Sequence, residues 1–198
     1  MDLILIGCLG AFGVLVVAVI GFVVMLYNSL IKLKNLVDEA WSGIDVQLKK
    51  RYDLIPNLVE TIKGYAKHEK GIFENVAELR SRAMGAKGPE QQAKVEGELT
   101  STLKTLFAVA ENYPELKADQ NFLNLQNTLQ EIEGEIERAR RYYNGTVREY
   151  NIRIEQFPAN LVAGMLKFTK REYFEVENEE ERKNVKVSFD EENKSEKE

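Results

Sequence analysis

Apolar and polar residues are distributed along this chain in distinct regimes. From Leu3 to Leu26 the run LILIGCLGAFGVLVVAVIGFVVML carries no charged side chain. At ~1.5 Å per residue a helix of that length reaches ~36 Å, enough to cross a hydrocarbon core of ~30 Å with some tilt. A helix buried in a soluble core rarely stays apolar on all sides for so long. From Asn28 the apolar positions thin to helical spacing, at Leu33, Leu36, Ala40, Ile44 and Leu48, then Ile55, Leu58 and Ile62. No Gly-Pro cluster separates the two regimes, so the spacing predicts that the membrane helix runs straight on into the domain. Pro56 falls inside the pattern, where a missing N–H predicts a kink or a restart.

A second helix is expected from about Glu69 to Met84, ended by Gly85-Ala86-Lys87-Gly88-Pro89, with Pro89 suited to the first turn of the next. The third, about Pro89 to Asn112, carries Val95, Leu99, Leu103, Leu106 and Ala110 on one face. The fourth gives the strongest signal. From Phe122, every seventh residue is large (Leu129, Ile136, Tyr143, Tyr150, Phe157), with a companion series Leu125, Ile132 and Ala139 that then drifts to Val147 and Ile154. Such coiled-coil-like spacing predicts a long helix packed at shallow angles on its neighbours, closed by Phe157-Pro158. The fold class is therefore all-α: an N-terminal transmembrane helix continuous with an antiparallel, four-helix-type bundle. Residues 1–27 form the anchor, 28–170 the bundle and 171–198 an acidic tail, extended or disordered, in which Val185-Lys186-Val187-Ser188-Phe189 alternates like a short strand.

Charge adds an orientation. No base precedes the apolar run, whereas Lys32 and Lys34 follow it closely and Lys49, Lys50 and Arg51 come next. The positive-inside rule then puts the N-terminus outside and the domain in the cytosol, in the cytoplasmic membrane. The absence of a basic lead, and bulky Met25, Leu26 and Tyr27 in place of a small-residue cleavage site, argue for an anchor over a cleaved signal. Leu5-Ile6-Gly7-Cys8 resembles a lipoprotein box, but its long apolar run follows the cysteine instead of preceding it. The net charge of −5 resides in the tail, where ten acids face five bases from Glu175 to Glu198. A neutral body with an acidic tail lacks the basic footprint of a nucleic-acid binder.

Candidate chemistry is sparse. Gly-rich phosphate loops, G-x-S-x-G, H-E-x-x-H and EF-hand loops are all missing. With His68 the sole histidine and Cys8 the sole cysteine, neither a di-metal carboxylate site nor a thiol nucleophile can be assembled, so no cofactor and no enzyme activity are expected. Glu131, Glu133, Glu135 and Glu137 alternate with core positions and are assigned to a solvated face. Polar residues set among apolar ones are the better candidates. Asp53 and Asn57 lie one turn apart beside Pro56, and Tyr143-Asn144 recurs one heptad later as Tyr150-Asn151. The pairs are expected to fix register between helices, as buried Asn does in coiled coils, with a recognition surface for a partner as the alternative. The segment Ala159–Phe168, apolar and followed by bases, suits either a membrane interface or a lid over the open end of the bundle.

Longer blocks carry a family likeness. Tyr27-Asn28, then Asp38-Glu39-Ala40-Trp41-Ser42-Gly43-Ile44-Asp45-Val46-Gln47-Leu48, Asp53-Leu54-Ile55-Pro56-Asn57-Leu58-Val59 and Gly64-Tyr65-Ala66 with His68-Glu69 resemble the bacterial LemA family. So do Glu111-Asn112-Tyr113-Pro114-Glu115-Leu116-Lys117-Ala118, Asn121-Phe122, Ala139-Arg140-Arg141-Tyr142-Tyr143-Asn144, Tyr150-Asn151 and Phe157-Pro158. The resemblance covers about residues 27–174. It implies a membrane-anchored antiparallel bundle, outside at its N-terminus and cytosolic in its domain, without a settled biochemical activity. A related magnetosome protein implies membrane organisation, and frequent neighbours in bacteria are a membrane metalloprotease or a protein with a TPM-type domain. The expectation is a non-enzymatic scaffold or adaptor that homo-oligomerises or binds membrane proteins, the alternative a regulatory partner of a membrane metalloprotease. Interaction candidates are Trp41, Asp45, Gln47, Arg51, Asp53, Pro56, Asn57, Tyr143, Asn144, Tyr150, Asn151, Phe157 and Pro158.

Overall fold

A computed structural model of the chain describes residues 2–175. The alternating stretch 185–189, with the tail from residue 176 onward, lies outside the described residues. Those described form six helices and no strand: α1 (Asp2–Lys63), α2 (Lys70–Gly85), α3 (Pro89–Ala110), α4 (Pro114–Lys117), α5 (Gln120–Glu155) and α6 (Ala159–Met165). The all-α expectation is met.

α1 changes character within one turn. Its side chains from Leu9 to Met25 are exposed on every side, because nothing in the protein covers them. This is the one helix among the described residues long and apolar enough to cross a membrane. From Leu26 the pattern becomes one-sided, burying Leu26, Leu30, Val37, Ala40, Ile44, Leu48, Ile55, Leu58 and Ile62. That three-and-four spacing faces the stripe of α5 made by Phe122, Leu129, Ile132, Ile136, Tyr143, Val147, Tyr150 and Ile154. The two helices run antiparallel: Arg51 meets Glu133, and earlier on α1 Trp41 meets Tyr143, later on α5. Cutting a fully buried member such as Leu58 to Ala would cost about 2–5 kcal/mol.

Pro56 neither ends nor restarts the helix, which continues unbroken to Lys63. The reason is a replacement donor. Proline at 56 removes the N–H that would reach the Tyr52 carbonyl, and Arg80 Nε from α2 donates to that oxygen at 2.7 Å instead. The ring itself points to solvent, since Pro56 is exposed.

α2 and α3 form a hairpin laid over the part of α1 farther from the apolar run, burying Phe73, Val76, Leu79 and Ala83 against Ala93, Val95 and Leu99. Its turn needs Gly88, whose φ of 83° is strained for any side chain with a Cβ. Pro89 then opens α3 at a position with no backbone bond to lose. Phe107 of α3 packs at a tilt against Phe122, with ring centroids 6.2 Å apart. Asp119 caps α5, accepting the Phe122 N–H at 2.9 Å and the Tyr65 hydroxyl at 3.1 Å. Nearer the apolar run, the α1–α5 pair is closed by α6 and by an extended segment, residues 168–175, packed on it. The expected picture of four helices side by side does not describe that half.

Candidate functional site

Two constellations gather the polar residues of the interior. The first crosses three helices. Arg51, 1% exposed, leaves α1 from within an apolar stripe and is ion-paired to Glu96 of α3, itself nearly buried. One Nη donates to Thr100 at 3.1 Å and reaches Glu133 of α5. Tyr52 donates its hydroxyl to Glu96, and Gln92 donates to Tyr52, to Glu96 (both 2.8 Å) and to the Ala83 carbonyl at 3.2 Å. Burial pushes the Tyr52 phenol up to about 12, the nearby Arg51 charge working against the rise. Every polar member is bound to another, so the cluster locks α1, α3 and α5 in one register at the cost of burying charge. Glu133 belongs to it, and to that extent is not the solvated carboxylate that its place among alternating glutamates predicts.

The second constellation is a cradle on α5 filled by the chain itself. Asn151 accepts the Arg171 N–H and donates to the Arg171 carbonyl, both at 2.9 Å. One heptad back, Asn144 does the same for Phe174, at 2.8 and 3.1 Å. Beside them Tyr143 donates to the Glu172 carbonyl at 2.9 Å and Tyr150 to that of Thr169 at 3.0 Å. The spacing matches because seven residues of helix advance about 10 Å and so do three residues of extended chain. Each carboxamide thus acts toward the segment as a neighbouring β-strand would. Phe174, 1% exposed, is the anchor: its ring lies 6.1 Å from Trp41 and 4.9 Å beneath the Arg140 guanidinium, and Trp41 in turn packs at a tilt against Tyr143, 5.4 Å between ring centroids. Arg171 also pairs with Asp38 of α1 at 2.8 Å. Burial raises the phenols of Tyr143 and Tyr150 above the ordinary tyrosine value, against the opposing charge of Arg171.

The two Tyr-Asn pairs therefore do not fix one helix against another, as expected from coiled coils; they hold a strap. Of the other candidates, Trp41 joins this cradle and Arg51 the buried cluster. Gln47 is half-buried between them, while Asp45, Asp53, Pro56 and Asn57 lie exposed along α1. Phe157, last of the heptad series, falls beyond the end of α5 and is 75% exposed, and Pro158 opens α6. Sequence reasoning passed over Tyr52, Arg80, Gln92, Glu96 and Phe174. A signal existed for Gln92 and Glu96, which stand on the same stripe as Leu99 and Leu103. Among the described residues no three His, Cys, Asp or Glu side chains converge as a metal site would need.

This architecture defines a membrane-associated, all-α protein whose apolar N-terminal helix is part of its own core. The model of the LemA family matches residues 40–189, and the chain belongs to that family. Magnetosome protein MamQ 2 of Paramagnetospirillum magneticum is 27% identical, the match covering 81% of this chain and 68% of the relative. Magnetosome protein MamQ of Magnetospirillum gryphiswaldense is 24% identical, over 80% of this chain and 68% of the relative. Protein LemA of Metamycoplasma hominis is 26% identical, over 70% and 64%.

Proposed function

We propose that this protein is a non-enzymatic scaffold or adaptor, anchored in the cytoplasmic membrane with its N-terminus outside and its bundle in the cytosol. It self-associates or binds other membrane proteins and organises the membrane around them. The observation that carries the reading is the unbroken course of α1 from the apolar run through the core to Lys63. A partner that grips the bundle grips the membrane helix directly, with no linker to absorb the force. The polar interior supports the same reading, because Arg51, Glu96, Tyr143, Asn144, Tyr150 and Asn151 are engaged in holding the fold together. Relatives named as magnetosome proteins fit a role on membranes.

In-cell photo-crosslinking from the outward positions Val46 and Tyr142, each about half exposed, tests this. Positions 143 and 150 are unsuitable because both lie under the strap. Reproducible self-crosslinks, or crosslinks to another membrane protein, are expected. A membrane metalloprotease recovered there would turn the reading toward regulation of proteolysis. Detergent-extracted protein that stays monomeric and yields no reproducible crosslink would overturn the proposal.

A further inference from the structure

α6 lies at the end of the bundle where α1 leaves it. The antiparallel course of the α1–α5 pair brings the end of α5, Glu155, back toward Leu26 and Leu30. There α6 packs on both helices, and just beyond it Phe168 meets Tyr27 edge to face at 6.3 Å. Leu26 and Leu30 are buried by the protein, whereas the side chains from Leu9 to Met25 are bare.

α6 uses only one of its faces for that packing. Ala159, Val162 and Ala163 are buried against the bundle. Leu161 is 59% exposed and Met165, one turn on, 82%; Phe157 (75%) just before the helix and Leu166 (52%) at its end are exposed as well. Elsewhere in the domain, large exposed apolar residues such as Val46, Met84 and Tyr142 are scattered, as on any soluble surface. Bases accompany the patch: Lys167 follows it, exposed, and Lys32 is exposed on α1 one turn beyond Asn28. An apolar face with exposed lysines on the neighbouring segments, near the exit of a spanning helix, has the chemistry of a segment lying in the headgroup layer of an anionic leaflet.

We infer that the outer face of α6, with Phe157 and Leu166, inserts into the surface of the same bilayer that α1 crosses. This rests on the reading of Leu3–Leu26 as a span. The contact gives the domain a second foot beside its anchor. It fixes the tilt and rotation of the bundle, which one helix leaves free to be set by other contacts.

The full chain, with Cys8→Ala, reconstituted in vesicles of phosphatidylcholine and phosphatidylglycerol, provides the test. An environment-sensitive fluorophore is attached in turn at Met165→Cys, Leu166→Cys, Val17→Cys and Met84→Cys, each exposed in the protein. The probes at 165 and 166 should shift to the blue, be quenched severalfold by lipids spin-labelled near the headgroup, and resist aqueous iodide. Position 84 should show the opposite and position 17 should respond to lipids labelled deep in the acyl chain. Quenching at 17 with water-like emission at 165 and 166 would overturn the inference and leave the span intact. Blue-shifted probes at 165 and 166 that neither lipid label nor iodide reaches would mean that protein, such as a second copy, covers the face, and would overturn it too. No quenching at 17 would remove the span and this inference together.

Discussion

Arg80 on α2 donates to the carbonyl of Tyr52 on α1, the acceptor that Pro56 leaves without a backbone donor. One side chain thereby carries a helix across its interior proline and ties the α2–α3 hairpin to α1. Removing it with Arg80→Met leaves a partly buried carbonyl unsatisfied and should destabilise the domain by about 1–3 kcal/mol. In a Pro56→Ala background the backbone N–H returns, and most of that loss should vanish. A double-mutant cycle by denaturant unfolding measures the coupling; additive losses would show that the two residues act independently.

The Arg51–Glu96 pair is buried on both sides, so breaking it from one side strands a charge. Arg51→Met should cost about 3–5 kcal/mol. The joint change Arg51→Met with Glu96→Leu should recover most of it, since the costly element is the unpaired ion. Glu133→Gln, at the more exposed end of the cluster, should cost less than either single change at the buried pair. Equal losses for the single and the joint replacement would mean that the site depends on the ions themselves.

Release of the strap should be local. Asn144→Ala and Asn151→Ala each remove a side chain that makes two hydrogen bonds to extended backbone. At about 1–3 kcal/mol per opened contact, amide exchange at Arg171 and Phe174 should accelerate on the order of ten- to a hundredfold. Amides of α2 and α3 should keep their protection. Phe174→Ala should release the segment as fully as both asparagine changes together, because it empties the slot between Trp41 and Arg140. Uniform loss of protection across the bundle would instead make the strap part of the global core.

Helix positions were legible because their signals are local. The heptad series beginning at Phe122 anticipates the buried stripe of α5, and Gly88-Pro89 anticipates the start of α3. The strap was not legible, because Thr169–Phe174 has no period of its own and becomes ordered only against side chains that precede it by two dozen residues or so. The Tyr-Asn repeat did mark the site, yet a repeat spaced for helix partners also fits an extended segment advancing three residues per heptad. Pro56 misled for a related reason: the rule on proline concerns backbone donors, and Arg80, the replacement, is remote in sequence. Phe157 continues the heptad by number only. Helical geometry stops at Glu155 and Gln156 turns extended, so its ring faces outward.

The buried phenol of Tyr52 sets an alkaline limit to stability. Its value in the unfolded chain is near 10.0 and rises to about 12 in the fold, because burial favours the neutral hydroxyl and outweighs the Arg51 charge and the hydrogen bond from Gln92. A group whose folded value lies above its unfolded one contributes fully at lower pH, and its contribution fades as the pH climbs from about 10 to about 12. Tyr143 and Tyr150 shift in the same direction, so the strap too should loosen at alkaline pH. Melting temperature should therefore fall as the pH climbs, in step with tyrosinate absorbance. Tyr52→Phe should lower stability at neutral pH, where Gln92 and Glu96 lose a partner, but should flatten the alkaline decline. The difference between the two proteins isolates the contribution of this one hydroxyl. If the Phe variant declines as steeply as the parent, deprotonation of Tyr52 is not what opens the bundle.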